Sequence, residues 1–249
     1  MKGVRVAIGA LACMLAVAQG GPARAEAPAL SDAQKTAVEK LVHDYLIGHP
    51  EVLVEAMTVL RDRQQQAETE DRAKALKAAH AALYDDPGTP VAGNPNGDVT
   101  LIEFFDYACP YCKSVEDDLQ ALLKSDGKVR VLLKEFPVLG ANSVTAAKAA
   151  LAARAQGKYV PFHNALMTTR GQFTEETVLR IARSVGLDTD RLKDDMAAPE
   201  IETVIKANHK LAEELTIHGT PAFIVGTEVY PGAMDLSQFR QVVAAARKG

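Results

Sequence analysis

The sequence predicts an α/β protein in which a β-α-β start and a β-β-α finish flank a long helical block, with a separate helical segment ahead of them. Three observations lead there. Val99–Phe105 is an almost unbroken apolar run that gives way to a helix opening near Pro110, as a buried strand feeding a helix does. Residues 143–215 are helical in pattern almost throughout. Residues 30–83 are helical as well, but a Pro/Gly-rich stretch divides them from the remainder of the chain.

The first residues have the form of an export signal. Lys2 and Arg5 precede an apolar run from Val6 to Ala18, too short to cross a bilayer as a helix of ~20 residues. Gly20, Gly21 and Pro22 break it, and Ala23-Arg24-Ala25 supplies a small-x-small cleavage pattern. The expectation is a signal peptide over 1–25, cut after Ala25, and a periplasmic protein. The rivals are an uncleaved anchor and lipid attachment at Cys13.

Removing residues 1–25 takes away three basic residues and moves the net charge from −4 to −7. An acidic chain with no basic stripe argues against nucleic acid as a partner. Cys13 would leave with the signal, so the mature protein would keep only Cys109 and Cys112. A pair two residues apart closes too small a loop to staple a fold, so in an oxidising compartment redox chemistry is the better reading.

Ser31 with Gln34 forms a capping box ahead of a stripe of Ala37, Val38, Leu41, Val42 and Tyr45. Gly48-His49-Pro50 ends that helix, and Pro50 opens a second one carrying Val52, Leu53, Ala56, Met57 and Leu60. It turns polar from Arg61. The predicted organisation is a helical segment over 26–84, a linker over 85–98, and a domain over 99–249 with a helical insertion at about 143–208. In that domain Lys128–Phe136, Ala222–Val225 and Glu228–Tyr230 read as strands, and Leu236–Arg247 as the closing helix.

Cys109-Pro110-Tyr111-Cys112 stands at the junction of strand and helix. Free N–H groups and the helix dipole there favour a thiolate on Cys109, pulling its pKa below the free value of ~8.5. Cys112, one turn in and shielded, is placed to attack a mixed disulfide formed on Cys109. Pro110 fits the first turn without losing a hydrogen bond. Half of a metal site is the competing reading, but zinc needs two further ligands at matching spacing, and the six histidines are scattered. No cofactor and no metal are expected, although the two thiols could ligate Cu(I). Glu103 interrupts the apolar strand. Its carboxyl is costly to bury unless it has a use, and the structural reading makes it the partner of Lys134 on the neighbouring strand.

Ile102-Glu103-Phe104-Phe105-Asp106-Tyr107-Ala108-Cys109-Pro110-Tyr111-Cys112 resembles the active-site strand and helix of the DsbA family of bacterial thiol–disulfide oxidoreductases. His218-Gly219-Thr220-Pro221-Ala222-Phe223 is similar to the family's segment facing that site, which contains a cis-proline. The resemblance covers residues from about 91 to 247. It implies a thioredoxin fold with an inserted helical domain and a cis Thr220-Pro221 bond. It also implies a substrate-binding surface made by Thr220, Pro221, Pro110 and Tyr111. A similarly placed acid in the family exchanges a proton with the resolving thiol, which would make Cys109, Cys112 and Glu103 the catalytic set. Strongly oxidising members carry His where Tyr111 stands, so a less oxidising disulfide is expected.

Residues 30–83 resemble the N-terminal oligomerisation region of ScsC-type and Com1-type relatives, which implies a homo-oligomer. The function expected is formation, reduction or isomerisation of disulfides in exported proteins, leaning to isomerase or reductase in an oligomer, with a membrane redox partner. A monomeric oxidase, a copper-handling module and a substrate-holding chaperone are the alternatives.

Overall fold

The structure is a computed structural model that describes residues 30–248. The expected signal, its cut after Ala25, and Cys13 lie outside the described residues. The chain divides between Arg61 and Asp62 into two compact units.

In the first unit, α1 (Asp32–Gly48) opens on the expected capping box. The Ser31 hydroxyl accepts the Gln34 N–H, and the Gln34 side chain accepts the Ser31 N–H at 2.9 Å. None of α1 is buried. Leu41, Val42 and Tyr45 are exposed, as are Leu53, Met57 and Leu60 at the start of α2 (Glu51–Ala78). The polar run from Arg61 does not end α2. Arg, Gln, Glu, Lys and Ala are good helix formers, so the helix runs on through the polar stretch and buries Leu76 near its end.

The second unit is built on a five-stranded sheet in the order β1-β3-β2-β4-β5. The strands are β1 (Val91–Gly93), β2 (Val99–Phe105), β3 (Val129–Glu135), β4 (Ala222–Val225) and β5 (Glu228–Pro231). β2 and β3 are parallel, connected by α4 (Pro110–Ser125), and the other pairs are antiparallel. Between β3 and β4 lies the helical insertion. It comprises α5 (Ala141–Ala152), α6 (Tyr159–Thr168), α7 (Glu175–Ser184), α8 (Thr189–Met196) and α9 (Pro199–Glu214). With the closing α10 (Leu236–Ala246), this is the thioredoxin arrangement with its insertion.

The reading of 85–98 as a linker is corrected. Val91–Gly93 pairs with Leu132–Arg130 as an edge strand. Gly93 takes φ +69°, and a Cβ there would stand 2.6 Å from the Val129 carbonyl oxygen. The glycine that reads as a breaker is what lets this strand turn against β3. The boundary at residue 84 moves as well. Leu76 of α2, Ala79, and Leu83 of α3 (His80–Tyr84) pack with Ile102, Phe104 and Leu132 of the sheet.

The sheet separates two apolar layers. One face presents Leu101, Phe105, Val131, Leu133 and Phe223 to α4, α10 and the insertion. The other presents Ile102, Phe104, Leu132 and Ile224 to α3, the end of α2 and the end of α9. Because strand side chains alternate, each residue's parity decides which layer it enters.

Candidate active site

The chain leaves β2 through a turn held by one carboxylate. Asp106 accepts the N–H groups of Ala108 (2.7 Å), Val138 (2.8 Å) and Leu139 (2.9 Å). Those bonds tie the segment before the cysteines to the segment after β3. Cys109 is the N-cap of α4, with Pro110 in the first turn. The Cys112 N–H donates to Cys109 Sγ at 3.4 Å, and the Cys109 thiol lies 3.3 Å from the Thr220 carbonyl oxygen that accepts from it. Thr220-Pro221 is cis. The segment expected to face the cysteines therefore does so.

These contacts separate the two sulfurs chemically. Cys109 is pulled down to about 5, first by a hydrogen bond from the Cys112 side chain. Burial opposes this, and the Thr220 side chain and the backbone N–H groups of Cys112 and Tyr111 add to it. Cys112 is driven far up, by burial first and then by Cys109 and the Glu103 charge. At neutral pH the pair is a thiolate and a thiol, which is the state needed for attack by Cys109 and later resolution by Cys112. Access differs less than the sequence suggests, because Cys109 is 4% exposed and Cys112 0%. The exposed neighbours are Pro110 and Tyr111, the latter 66% exposed. Beside the cis-proline lies a cavity of ≈320 Å³, lined by Ile217, His218, Thr220, Pro221 and Val229 among others.

The ion pair between Glu103 and Lys134 is absent. Glu103 is in register with Leu133, whereas Lys134 is in register with Phe104, so the two side chains enter opposite layers. Among the described residues, neither Glu103 oxygen has a hydrogen-bond partner. Burial, then the neighbouring Glu116 and Glu135, raise its pKa well above the usual carboxylate range. Both groups are pushed towards their neutral forms, and the Glu103 charge is among the causes that raise Cys112, so the carboxyl stands within electrostatic reach of the thiol.

Sequence reasoning missed Lys113, Glu116, Glu135 and His163. Lys113 Nζ donates to the carbonyls of Leu166 (3.0 Å), Met167 (3.1 Å) and Thr169 (2.6 Å) at the end of α6, and lies 4.9 Å over the Phe173 ring. It thereby fastens the insertion to the active-site helix, and burial lowers its pKa to about 8. The signal for Glu116 was its spacing of four from Cys112 along α4. Among the described residues, no group of three or more His, Cys, Asp or Glu side chains could hold a metal, and no helix is long and apolar enough to cross a membrane.

Residues 100–244 match the family model of the DSBA-like thioredoxin domain, and residues 34–67 that of the copper resistance protein ScsC N-terminal domain. A thioredoxin-like oxidoreductase from Silicibacter pomeroyi is 50% identical, covering 68% of this chain and 98% of its own, with a TM-score of 0.67. A linker-deleted ScsC variant from Proteus mirabilis is 28% identical over 90% of this chain and 99% of its own, with a TM-score of 0.68. A periplasmic thioredoxin-like protein from Salmonella enterica is 29% identical over 69% of this chain and 97% of its own, at 0.63. Among curated relatives, the Na(+)/H(+) antiporter NhaA 3 of Salinispora tropica is 28% identical over 70% of this chain. The match spans only 28% of the antiporter's length.

Proposed function

The chain belongs to the DSBA-like thioredoxin-domain family and its chemistry is thiol–disulfide exchange, and from that premise we propose that it works in the periplasm as a disulfide reductase or isomerase on exported proteins. The observation that carries the reading is the Cys109 sulfur at a helix N-terminus, accepting the Cys112 N–H and facing the Thr220 backbone, with the buried Cys112 behind it, an arrangement that favours the thiolate on Cys109. An extended substrate pairs with the Thr220 segment as an added strand, Tyr111 lies against it, and its disulfide meets Cys109. Cys109 captures one substrate sulfur, and Cys112 then releases the substrate or lets it rearrange. A membrane redox partner keeps the pair reduced.

The periplasmic address is supported by the basic start, the short apolar run and Ala23-x-Ala25, and by a similar protein described as periplasmic. The intact mass of exported protein checks it, with Glu26 expected as the first residue.

The exposed apolar rows of α1 and α2 support assembly with further copies of this chain, in the stretch similar to the ScsC N-terminal domain. Several Cys109 sites around one substrate would raise the effective thiol concentration toward the ~mM range. Light scattering on the mature chain must then give an oligomer. Loss of residues 26–61 should leave exchange with small disulfides and reduce rearrangement of scrambled, multiply bonded substrates. For the chemistry itself, Cys112→Ala should accumulate mixed disulfides and Cys109→Ala should form none. Reversed trapping would overturn the assignment of attacking and resolving sulfurs.

A further inference from the structure

Behind Glu103 lies a set of polar side chains that the exchange chemistry above does not use. Glu103 comes from β2, Glu135 from β3 and Glu116 from α4, with Tyr159 and His163 from α6 and Tyr107 from the turn after β2. All six are 6% exposed or less, and they share the layer of the core that contains Cys109 and Cys112. The contacts form a chain. Tyr159 and Tyr107 donate their hydroxyls to the same Glu135 oxygen, at 2.7 and 3.0 Å. With its proton given to Glu135, the Tyr107 oxygen accepts from His163 Nδ1, which is 3.0 Å away. The other ring nitrogen of His163 then faces Glu116 Oε2 at 3.9 Å, beyond hydrogen-bond range and an ion pair only when the ring carries both protons. Glu116 also accepts from the Gln120 amide at 2.9 Å. It follows Cys112 by four residues, which sets it on the same buried side of α4 one turn on.

Resting on the thiol–disulfide reading of the site, we infer that His163 is a positioning residue. Held by Tyr107 and aimed at Glu116, it keeps a negative carboxylate one turn behind Cys112, and that charge governs when Glu103 can take the Cys112 proton. In the resolving step a proton passes from Cys112 Sγ to a Glu103 oxygen. The Cys112 sulfur attacks Cys109 Sγ, the Cys109–substrate bond breaks, and the departing substrate sulfur takes up a proton. Over capture and resolution the protein dithiol loses two electrons to become a disulfide, and the substrate disulfide becomes two thiols.

The acids differ in the way this requires. Burial pushes Glu116 up, but the His163 ring and the Gln120 amide outweigh it and hold the carboxyl below the usual range. Burial, then Glu116 and Glu135, drive Glu103 up, with Cys109 adding to the push. Burial takes Glu135 up to about 8 despite its two tyrosine donors, and Asp106 is the other acid that bears on it. Without the His163 ring, Glu116 keeps only the Gln120 amide, and burial pushes its carboxyl towards the neutral form. The repulsion on Glu103 then falls, and Glu103 ionises at lower pH.

The test is single-turnover release of glutathione from a mixed disulfide preformed on Cys109 of the full chain, followed across pH. In His163→Gln and in Glu116→Gln the midpoint of the rate profile should move to lower pH. The double variant should move no further than Glu116→Gln alone, because His163 acts through Glu116. A midpoint unmoved in both single variants overturns the inference, as does a double variant whose shift is the sum of the two. If His163→Gln does not fold, the ¹⁵N shifts of the His163 ring decide. They should change on Glu116→Gln, and unchanged shifts overturn the inference. A wild-type chain that releases no glutathione at any pH overturns the exchange reading as well, a result distinct from an unmoved midpoint.

Discussion

Two charged side chains stand on neighbouring strands of one sheet, each 1% exposed, and the fold treats them in opposite ways. Lys134 points into the layer under α3. There it donates to the Ala82 carbonyl at 2.8 Å, to the Asp86 carboxylate at 3.2 Å and to the Thr89 hydroxyl. Glu103 points into the layer under α4, and neither of its oxygens has a hydrogen bond among the described residues. A buried charge with its full set of partners joins distant parts of the chain, here the segment at 82–89 to β3. One left without partners costs stability, and its position beside the resolving thiol gives the reason it is kept.

The largest effect expected from this contrast is on the side of Lys134. Asp86→Ala strands a buried ammonium, and breaking such a pair typically costs 3–5 kcal/mol. Asp86 is 30% exposed and the other two acceptors remain. About 2–3 kcal/mol is therefore expected from urea unfolding, with little change in thiol exchange. A comparable loss of exchange rate would mean the two layers are not independent.

Glu103→Gln should do the reverse. Exchange slows ~100-fold, the low end of what a positioned acid or base contributes, while the unfolding midpoint barely moves. Unfolding without a specific rate effect would return Glu103 to a structural role.

Glu103→Leu sharpens the contrast through pH. Glu103 and Glu135 both titrate higher in the fold than in the unfolded chain, so the folded protein binds more protons across that window. The stability they contribute is complete below the ordinary glutamate value of ~4.3 and is lost as pH rises towards the folded values. Wild type and Glu103→Leu should therefore diverge from about pH 5 upward. Near neutral pH the variant should be about 1–3 kcal/mol more stable. Parallel curves would show that the carboxyl is not perturbed by the fold.

The smallest effect concerns backbone strain at the approach to the cis-proline. Thr216 ends α9 at φ +54°, a conformation that β-branched residues rarely adopt. Thr216→Gly should raise stability by about 1 kcal/mol in thermal unfolding. A slower exchange rate in the same variant would show that the rigidity of this turn matters to the site.

Legibility depends on the range of the interactions. Cys109, Cys112 and the strand-to-helix junction are written in eleven consecutive residues, and Thr220-Pro221 in six more, so local pattern and resemblance sufficed. The acids behind them come from β2, β3 and α4, and nothing local in Phe162-His163-Asn164 of α6 announces that the His163 ring meets Glu116, 47 positions away in the chain. Lys134 was paired with the wrong residue because its partner Asp86 stands 48 positions earlier, in a stretch whose prolines and glycines read as linker. The three-residue β1 was hidden for the same reason, its pairing being set entirely by β3.

Cys109 and Cys112 are free of any other covalent link among the described residues. The reduced and oxidised proteins therefore differ by one bond, and folding and oxidation close a four-state thermodynamic cycle. Each 30 mV by which the fold shifts the couple away from that of the unfolded chain must reappear as about 1.4 kcal/mol between the unfolding free energies of the two forms. The helix end that stabilises the Cys109 thiolate weights this cycle towards the dithiol, which should be the higher-melting form. A pair of calorimetric scans then reads an electrochemical quantity, with no electrode and no redox partner in the cell.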